Sequence, residues 1–137
     1  YYVPDLGLQL AQLSESLSPT GIFVTAIAGR SNALIEFWTT AFELLGREIP
    51  HYTSEDVAVA LQSLGVHYEN REVPYELSFP DTEENRLRII RFLLADYLPQ
   101  LPLQSLLEQF DRYQRAGQIE IQTASDHYTI RRCSTNG

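Results

Sequence analysis

The side chains that most often carry chemistry in proteins are few in this sequence and lie far apart along it. The histidines His51, His67 and His127 and the single cysteine Cys133 lack the spacing of a metal site. A lone cysteine cannot form an internal disulfide, and no base lies beside it in sequence to activate it as a nucleophile. We therefore predict no metal site and no cysteine chemistry.

Acidic residues occur in pairs where helices are expected to begin, namely Glu55-Asp56 and Glu83-Glu84. Acids in the first turn of a helix are stabilised by its dipole, so capping accounts for both pairs without a role as general acid or base. A set of arginines is predicted to form a solvated face paired with nearby glutamates: Arg86, Arg88 and Arg91.

Aromatic side chains are the remaining candidates, because a flat ring can hold a flat or cationic ligand. Trp38 stands on an apolar stripe, where a role in the core is the more common meaning, and Phe92 lies just beside the stripe of its helix, which favours a lining role. Tyr1 and Tyr2 are either pocket residues or simply the start of the chain, and the sequence weighs these two interpretations equally.

The elements that would position these residues can be predicted from periodicity. Leucines at one helical spacing predict a first helix capped by Asp5: Leu6, Leu10, Leu13 and Leu17. Residues 22–28 are apolar without alternation, which predicts a central parallel strand covered on both faces. A second helix follows with Ser31 or Asn32 as its cap and Gly46 at its end, and a third helix runs from the Thr53 cap to Gly65.

The second half of the chain continues with a long strand over residues 66–79, in which Pro74 indicates an edge or a bulge. Two further helices are predicted within residues 81–117. Alternating apolar residues then predict a closing hairpin, with strands around Ile119–Ile121 and Tyr128–Ile130 joined at residues 124–126.

Composition restricts the class of protein. The chain has 137 residues, of which 44% are hydrophobic, and this length and composition fit one globular domain. A net charge of −8 argues against nucleic acid as a partner, because phosphates attract clustered Lys and Arg. No apolar run approaches the roughly 20 residues of a membrane span, so we expect no membrane partner. With a lone cysteine and no internal disulfide, a cytoplasmic location is the default expectation.

Several segments, in colinear order over about residues 1–132, resemble a known family. Residues 13–23, Leu-Ser-Glu-Ser-Leu-Ser-Pro-Thr-Gly-Ile-Phe, resemble the turn that leads into the fifth strand of class I S-adenosylmethionine-dependent methyltransferases. The histamine N-methyltransferase-like group is more similar still, through Tyr1-Tyr2-Val3-x-Asp5, Trp38, residues 52–56 with 64–69, residues 91–93 and the segment from Gly117.

The resemblance implies an α/β fold: the C-terminal part of a Rossmann-like methyltransferase sheet, in which a sixth strand and a reversed seventh strand follow the fifth. Helices are often inserted between the last two strands of that fold. By this resemblance residues 1–132 form the substrate-side part of a methyltransferase domain, residues 81–117 form a helical insertion, and residues 133–137 form a flexible tail.

The activity implied by the resemblance is methyl transfer from S-adenosylmethionine to a small molecule, such as an amine, without a metal. Alignment of nucleophile, methyl carbon and sulfur would be the main contribution of the protein. Carried over by position, Tyr1 and Tyr2 would line the pocket and Trp38 and Phe92 would form an aromatic wall. Gln122-Thr123 stands where the family has a substrate-binding Asn, and Leu34 stands where it has a second tryptophan.

The 137 residues contain no glycine-rich loop of the kind that holds the cofactor. We therefore expect the chain to be the second half of a larger enzyme, inactive alone, with the main cofactor-binding determinants outside it. Such a half should self-associate through the exposed strand at residues 22–28. The alternative is a non-catalytic α/β interaction or dimerisation module that folds by itself.

Overall fold

The computed structural model describes residues 3–131, and the predicted α/β class is confirmed within them. The α-helices are α1 (Leu6–Ser16), α2 (Ala33–Leu44), α3 (Ser54–Ser63), α4 (Glu83–Leu94) and α5 (Leu103–Glu108). Short 3₁₀ helices follow α4 (Ala95–Gln100) and α5 (Gln109–Tyr113). The strands are β1 (Ile22–Ile27), β2 (Tyr68–Pro80), β3 (Gln114–Arg115) and β4 (Gln118–Arg131).

The helix ends follow the local signals in the sequence. The Asp5 carboxylate accepts a hydrogen bond from the Leu8 N–H at the start of α1 (2.9 Å). At the start of α2, the amide oxygen of Asn32 accepts from the Leu34 N–H at the same distance (2.9 Å), so Asn32 rather than Ser31 is the cap. Gly46 and Gly65 both have φ near +63°, which glycine adopts at little cost.

The sheet is open and antiparallel, with strand order β1-β4-β2. β1 pairs with β4 from Ile22 opposite Arg131 to Ile27 opposite Asp126. At the ends of β2, the N–H of Arg131 donates to the His67 carbonyl and the N–H of Asp81 donates to the Gly117 carbonyl. β2 is therefore antiparallel to β4 as well, and β1 and β2 run in the same direction.

The prediction of a parallel central strand covered on both faces is wrong for β1. Its neighbour β4 is antiparallel, and its side chains alternate in exposure, with Ile22 49% and Val24 61% exposed. An apolar run does not by itself distinguish a strand covered twice from a strand that leaves one apolar face in solvent. Pro74, predicted at an edge or bulge, lies in β2, which ends the strand order.

The predicted hairpin turn at residues 124–126 is also wrong, because β4 continues through these residues. None of Ala124, Ser125 and Asp126 is a glycine or proline, and pairing with β1 holds Asp126 in extended backbone opposite Ile27. The turn of the closing hairpin lies earlier, at Ala116-Gly117, where both residues have positive φ (48° and 79°) and join β3 to β4.

The chain forms two compact units, and the boundaries between them fall inside β2 and β4. The first unit contains the described parts of residues 1–30, 51–73 and 124–137. Its core is built from α1, β1, α3 and the end of β4: Leu6, Leu10, Ile27, Val57, Leu61, Tyr128 and Ile130. The Tyr128 hydroxyl donates to the Ser54 carbonyl (3.0 Å), so its buried polar atom is satisfied.

The second unit contains residues 31–50 and 74–123. Its core combines α2 with the helices that follow β2 and the start of β4, and its largest members are aromatic or branched: Phe37, Trp38, Phe42, Ile90, Leu94, Leu106, Phe110, Ile119 and Ile121. The Phe37 and Phe110 rings lie 4.6 Å apart between centroids. The helices predicted within residues 81–117 therefore pack on α2 as part of one core.

Candidate functional site

Tyr1 and Tyr2, predicted to line a substrate pocket, lie outside the described residues, as do Cys133 and the rest of the predicted tail. Val3 is the first residue whose surroundings the structure gives, and it packs against the core of the first unit.

Trp38 and Phe92 occupy different environments within the second unit. Trp38 is only 8% exposed, and its ring stacks on Phe42 with 5.5 Å between centroids and meets Tyr97 edge-on at 6.1 Å. Phe92, near the end of α4, is 83% exposed. The indole is thus part of a packed aromatic cluster, whereas the phenyl ring of Phe92 lies in solvent.

Gln122 and Thr123 are neighbours on β4 and therefore point to opposite faces of the sheet. Gln122 is exposed and its amide donates to the Glu76 carboxylate on β2 (3.4 Å). Thr123 is half-buried, and its hydroxyl accepts a hydrogen bond from the Ala33 N–H (3.0 Å). Thr123 thus satisfies a backbone donor in the first turn of α2.

The start of α2 carries a further polar contact that the sequence did not single out. The buried Asn32 side chain donates from Nδ2 to the Tyr75 hydroxyl of β2 (3.0 Å) while its Oδ1 caps the helix. The sequence gives no local signal for this contact, because the two residues are 43 positions apart. Among the predicted substrate-binding residues that the structure describes, Thr123 is the one that contacts the start of α2.

Carboxylates gather where β1 ends, in the first unit. Both Glu55 oxygens accept from the Arg30 N–H (3.0 and 3.2 Å), and Arg30 also pairs with Asp56 at 3.6 Å. A Cβ at Gly29 would lie 3.1 Å from Glu55 Oε1 and 3.5 Å from Asp126 Oδ2. A glycine at this position therefore avoids close contact with the Glu55 carboxylate. Burial raises the pKa of the Glu55 carboxyl, but hydrogen bonds from the backbone of Glu55 and Arg30 and from the Thr53 side chain, together with the Arg30 charge, lower it overall.

Arg86 of α4 was predicted on a solvated face, and this prediction is wrong. Its side chain is 13% exposed and bridges Asp81 and Asp111 at 2.6 Å each, with a further bond to the Leu107 carbonyl (2.9 Å). These residues lie in a polar cleft of about 410 Å³ that also includes Glu83. The arginine offsets two of the carboxylates, so the cleft is a structural ion-pair network with an acidic rim.

An apolar cavity of about 100 Å³ lies within the first unit, between α1, β1 and the start of α3. Within the part of the chain that the structure describes, its lining is mainly leucine, valine and phenylalanine with two polar residues: Val3, Leu6, Gln9, Leu10, Leu13, Phe23, Thr25 and Val57. The predicted site residues that the structure describes are not among them.

Within residues 3–131, no group of three or more His, Cys, Asp or Glu residues is placed to hold a metal ion. None of the helices in the same range is long and apolar enough to cross a membrane. No protein-family model and no curated protein sequence matches the chain.

Proposed function

We propose that this chain is the substrate-side, C-terminal part of a class I S-adenosylmethionine-dependent methyltransferase that acts in the cytoplasm on a small molecule such as an amine. One observation supports the proposal most: the last strand, β4, is reversed and pairs with both β1 and β2, which share a direction. The family has a sixth strand and a reversed seventh strand after the fifth, and β1, β2 and β4 fit these three places.

The helices support the same assignment. α2 and α3 connect β1 to β2, and α4 and α5 lie between β2 and β4, where the resemblance places a helical insertion. In this assignment the cofactor is bound mainly by residues outside this chain. The predicted substrate-binding residues that the structure describes would have different roles. Gln122 has an exposed amide that could contact substrate, whereas Trp38 and Thr123 pack or hydrogen-bond within the protein and would support the pocket.

The test uses the protein encoded by the whole reading frame that contains this chain. We expect saturable binding of S-adenosylmethionine by calorimetry and transfer of its labelled methyl group to at least one member of a panel of small amines. Gln122→Ala should raise KM for that amine with little change in kcat, while Gln100→Ala, at an exposed site in the 3₁₀ helix, should leave both unchanged. A folded protein that binds no cofactor would overturn the proposal.

The second candidate, a non-catalytic interaction or dimerisation module, is favoured by the exposed apolar side chains of β1. Ile22 and Val24 are 49% and 61% exposed on the sheet, and such a surface often binds another protein. A folded, self-associating protein without cofactor binding would support this candidate over the first.

A further inference from the structure

We infer that the apolar cavity between α1, β1 and α3 is a binding site for a small neutral molecule with one aromatic ring and one hydroxyl group, of the phenol class. The described residues that line it all belong to the first compact unit. The inference is independent of the proposed function, since none of the described residues assigned to the substrate lines this cavity. Three features of the lining carry it: size, absence of charge, and two available polar groups.

The size of the cavity selects a single ring. An apolar cavity of roughly 150 Å³ in a protein core stays dry and binds benzene. The cavity here is about 100 Å³, and Leu13, 40% exposed, is the most exposed of its lining residues, so we place its mouth there. Because this volume is about two-thirds of one that encloses benzene, a single six-membered ring fits only with one edge in the open mouth, and a fused ring system is too large.

The lining also selects a neutral molecule. Within residues 3–131, the residues that line the cavity are aliphatic or aromatic apart from Gln9 and Thr25, and none of these is ionisable. A charged group would lose its hydration in such a site without a compensating ion pair, which is strongly unfavourable. The Phe23 ring in the wall offers a surface for contact with another aromatic ring.

The two polar residues select a hydroxyl substituent. Thr25 on β1 and Gln9 on α1 are both half-buried. Within residues 3–131, the Thr25 hydroxyl and the Gln9 carboxamide make no hydrogen bond to another side chain or to the backbone. Both groups can donate and accept, so they can satisfy a phenolic hydroxyl that an all-apolar wall would leave unpaired.

The experiment is an NMR titration of the ¹⁵N-labelled chain with phenol, benzene and benzoate. We expect phenol to cause saturable shifts in amides of residues 6–13 and 23–25 and near Val57, and benzene to do so more weakly. Benzoate should cause none at matched concentration, because it is charged. Shifts spread over both compact units, or equal shifts with benzoate, would overturn the inference.

Two pairs of variants separate a specific site from general apolar adhesion. Thr25→Val keeps the shape of the side chain and should weaken phenol binding about fivefold, the usual contribution of one hydrogen bond, without affecting benzene. Thr129→Val, on the neighbouring strand opposite Val24, is its control. Leu13→Trp should close the mouth and abolish binding, whereas Leu8→Trp, at a 53% exposed position on α1, should not. Equal effects within either pair would refute the site.

Discussion

Arg86 shows how much a single side chain can depend on residues far away in sequence. Its partners are Asp81, five residues before it, and Asp111, twenty-five residues after it, and the Asp81 side chain is only 8% exposed. Hydrogen bonds from Arg86 lower the pKa of the Asp81 carboxyl below its ordinary value, against the effect of burial. The ionised form of Asp81 is thus favoured by folding.

This gives a prediction for stability against pH. Since the pKa of Asp81 is lower in the folded state, its contribution is fully present above the unfolded pKa of about 3.9 and is lost as pH falls through the folded value. We expect Arg86→Met to lower the urea midpoint at pH 7 and to reduce the further loss of stability between pH 5 and pH 3. Urea titrations at these three pH values measure both effects.

Arg88→Met is the matched control, because Arg88 lies on the same helix in an ion pair with Glu84 in which both side chains are more than two-thirds exposed. Exposed pairs contribute little to stability. If both variants shift the urea midpoint equally, the buried network does not stabilise the second unit as described.

At the scale of elements, the helix ends were predictable because their signals are local. The caps Asp5, Asn32 and Thr53 bind backbone N–H groups or carboxylates within three residues of themselves, and glycines stand at the ends of α2 and α3. The capping residue and the group that it binds lie within a few residues of each other, so a short stretch of sequence predicts the cap. The helices themselves were also predictable from local sequence, because the apolar residues of each recur at helical spacing.

The ends and directions of the strands could not be predicted from local sequence. β4 contains two alternating runs separated by Ala124-Ser125-Asp126, but the strand continues through these residues, and Asp126 pairs with Ile27 of β1. Strand direction likewise depends on partners about a hundred residues apart, as in Ile22 opposite Arg131. The candidate site was less predictable than the fold for the same reason, because Thr123 and Ala33, or Arg86 and Asp111, meet only after folding.

Gly7 and Gly65 lie in different backbone conformations, so we predict that their substitution by alanine has opposite effects on stability. Gly7 lies in the first turn of α1, where an added Cβ would meet the Asp5 carboxylate at an ordinary 3.5 Å. Gly65 follows α3 with φ near +63°. We expect Gly7→Ala to raise the free energy of unfolding by about 0.7 kcal/mol, because alanine restricts the unfolded chain, and Gly65→Ala to lower it by about 1 kcal/mol, because an L-residue is strained at positive φ. Urea titration of both variants measures the difference, and a shift of the same sign in both would contradict it.

At the scale of the whole molecule, two properties act in opposite directions on association. The net charge of −8 makes copies of the chain repel one another. The sheet surface of β1 nevertheless exposes Ile22 and Val24, and burial of such side chains is favourable at about 25 cal/mol per Å². Salt weakens the repulsion, since the screening length falls to about 10 Å at 0.1 M, and leaves the apolar attraction in place.

We therefore expect the chain to self-associate at micromolar concentration, with a mass by light scattering that exceeds the 15.7 kDa of one copy and rises with added NaCl. Val24→Lys should restore a monomer, because a lysine at this position cannot be buried against a second copy. Val59→Lys on α3 is the control: Val59 is 63% exposed against 61% for Val24, and both substitutions change the net charge by the same amount. If Val59→Lys dissociated the chain as well, charge alone would govern association, and a monomeric parent chain at high salt would show that β1 is not a contact surface.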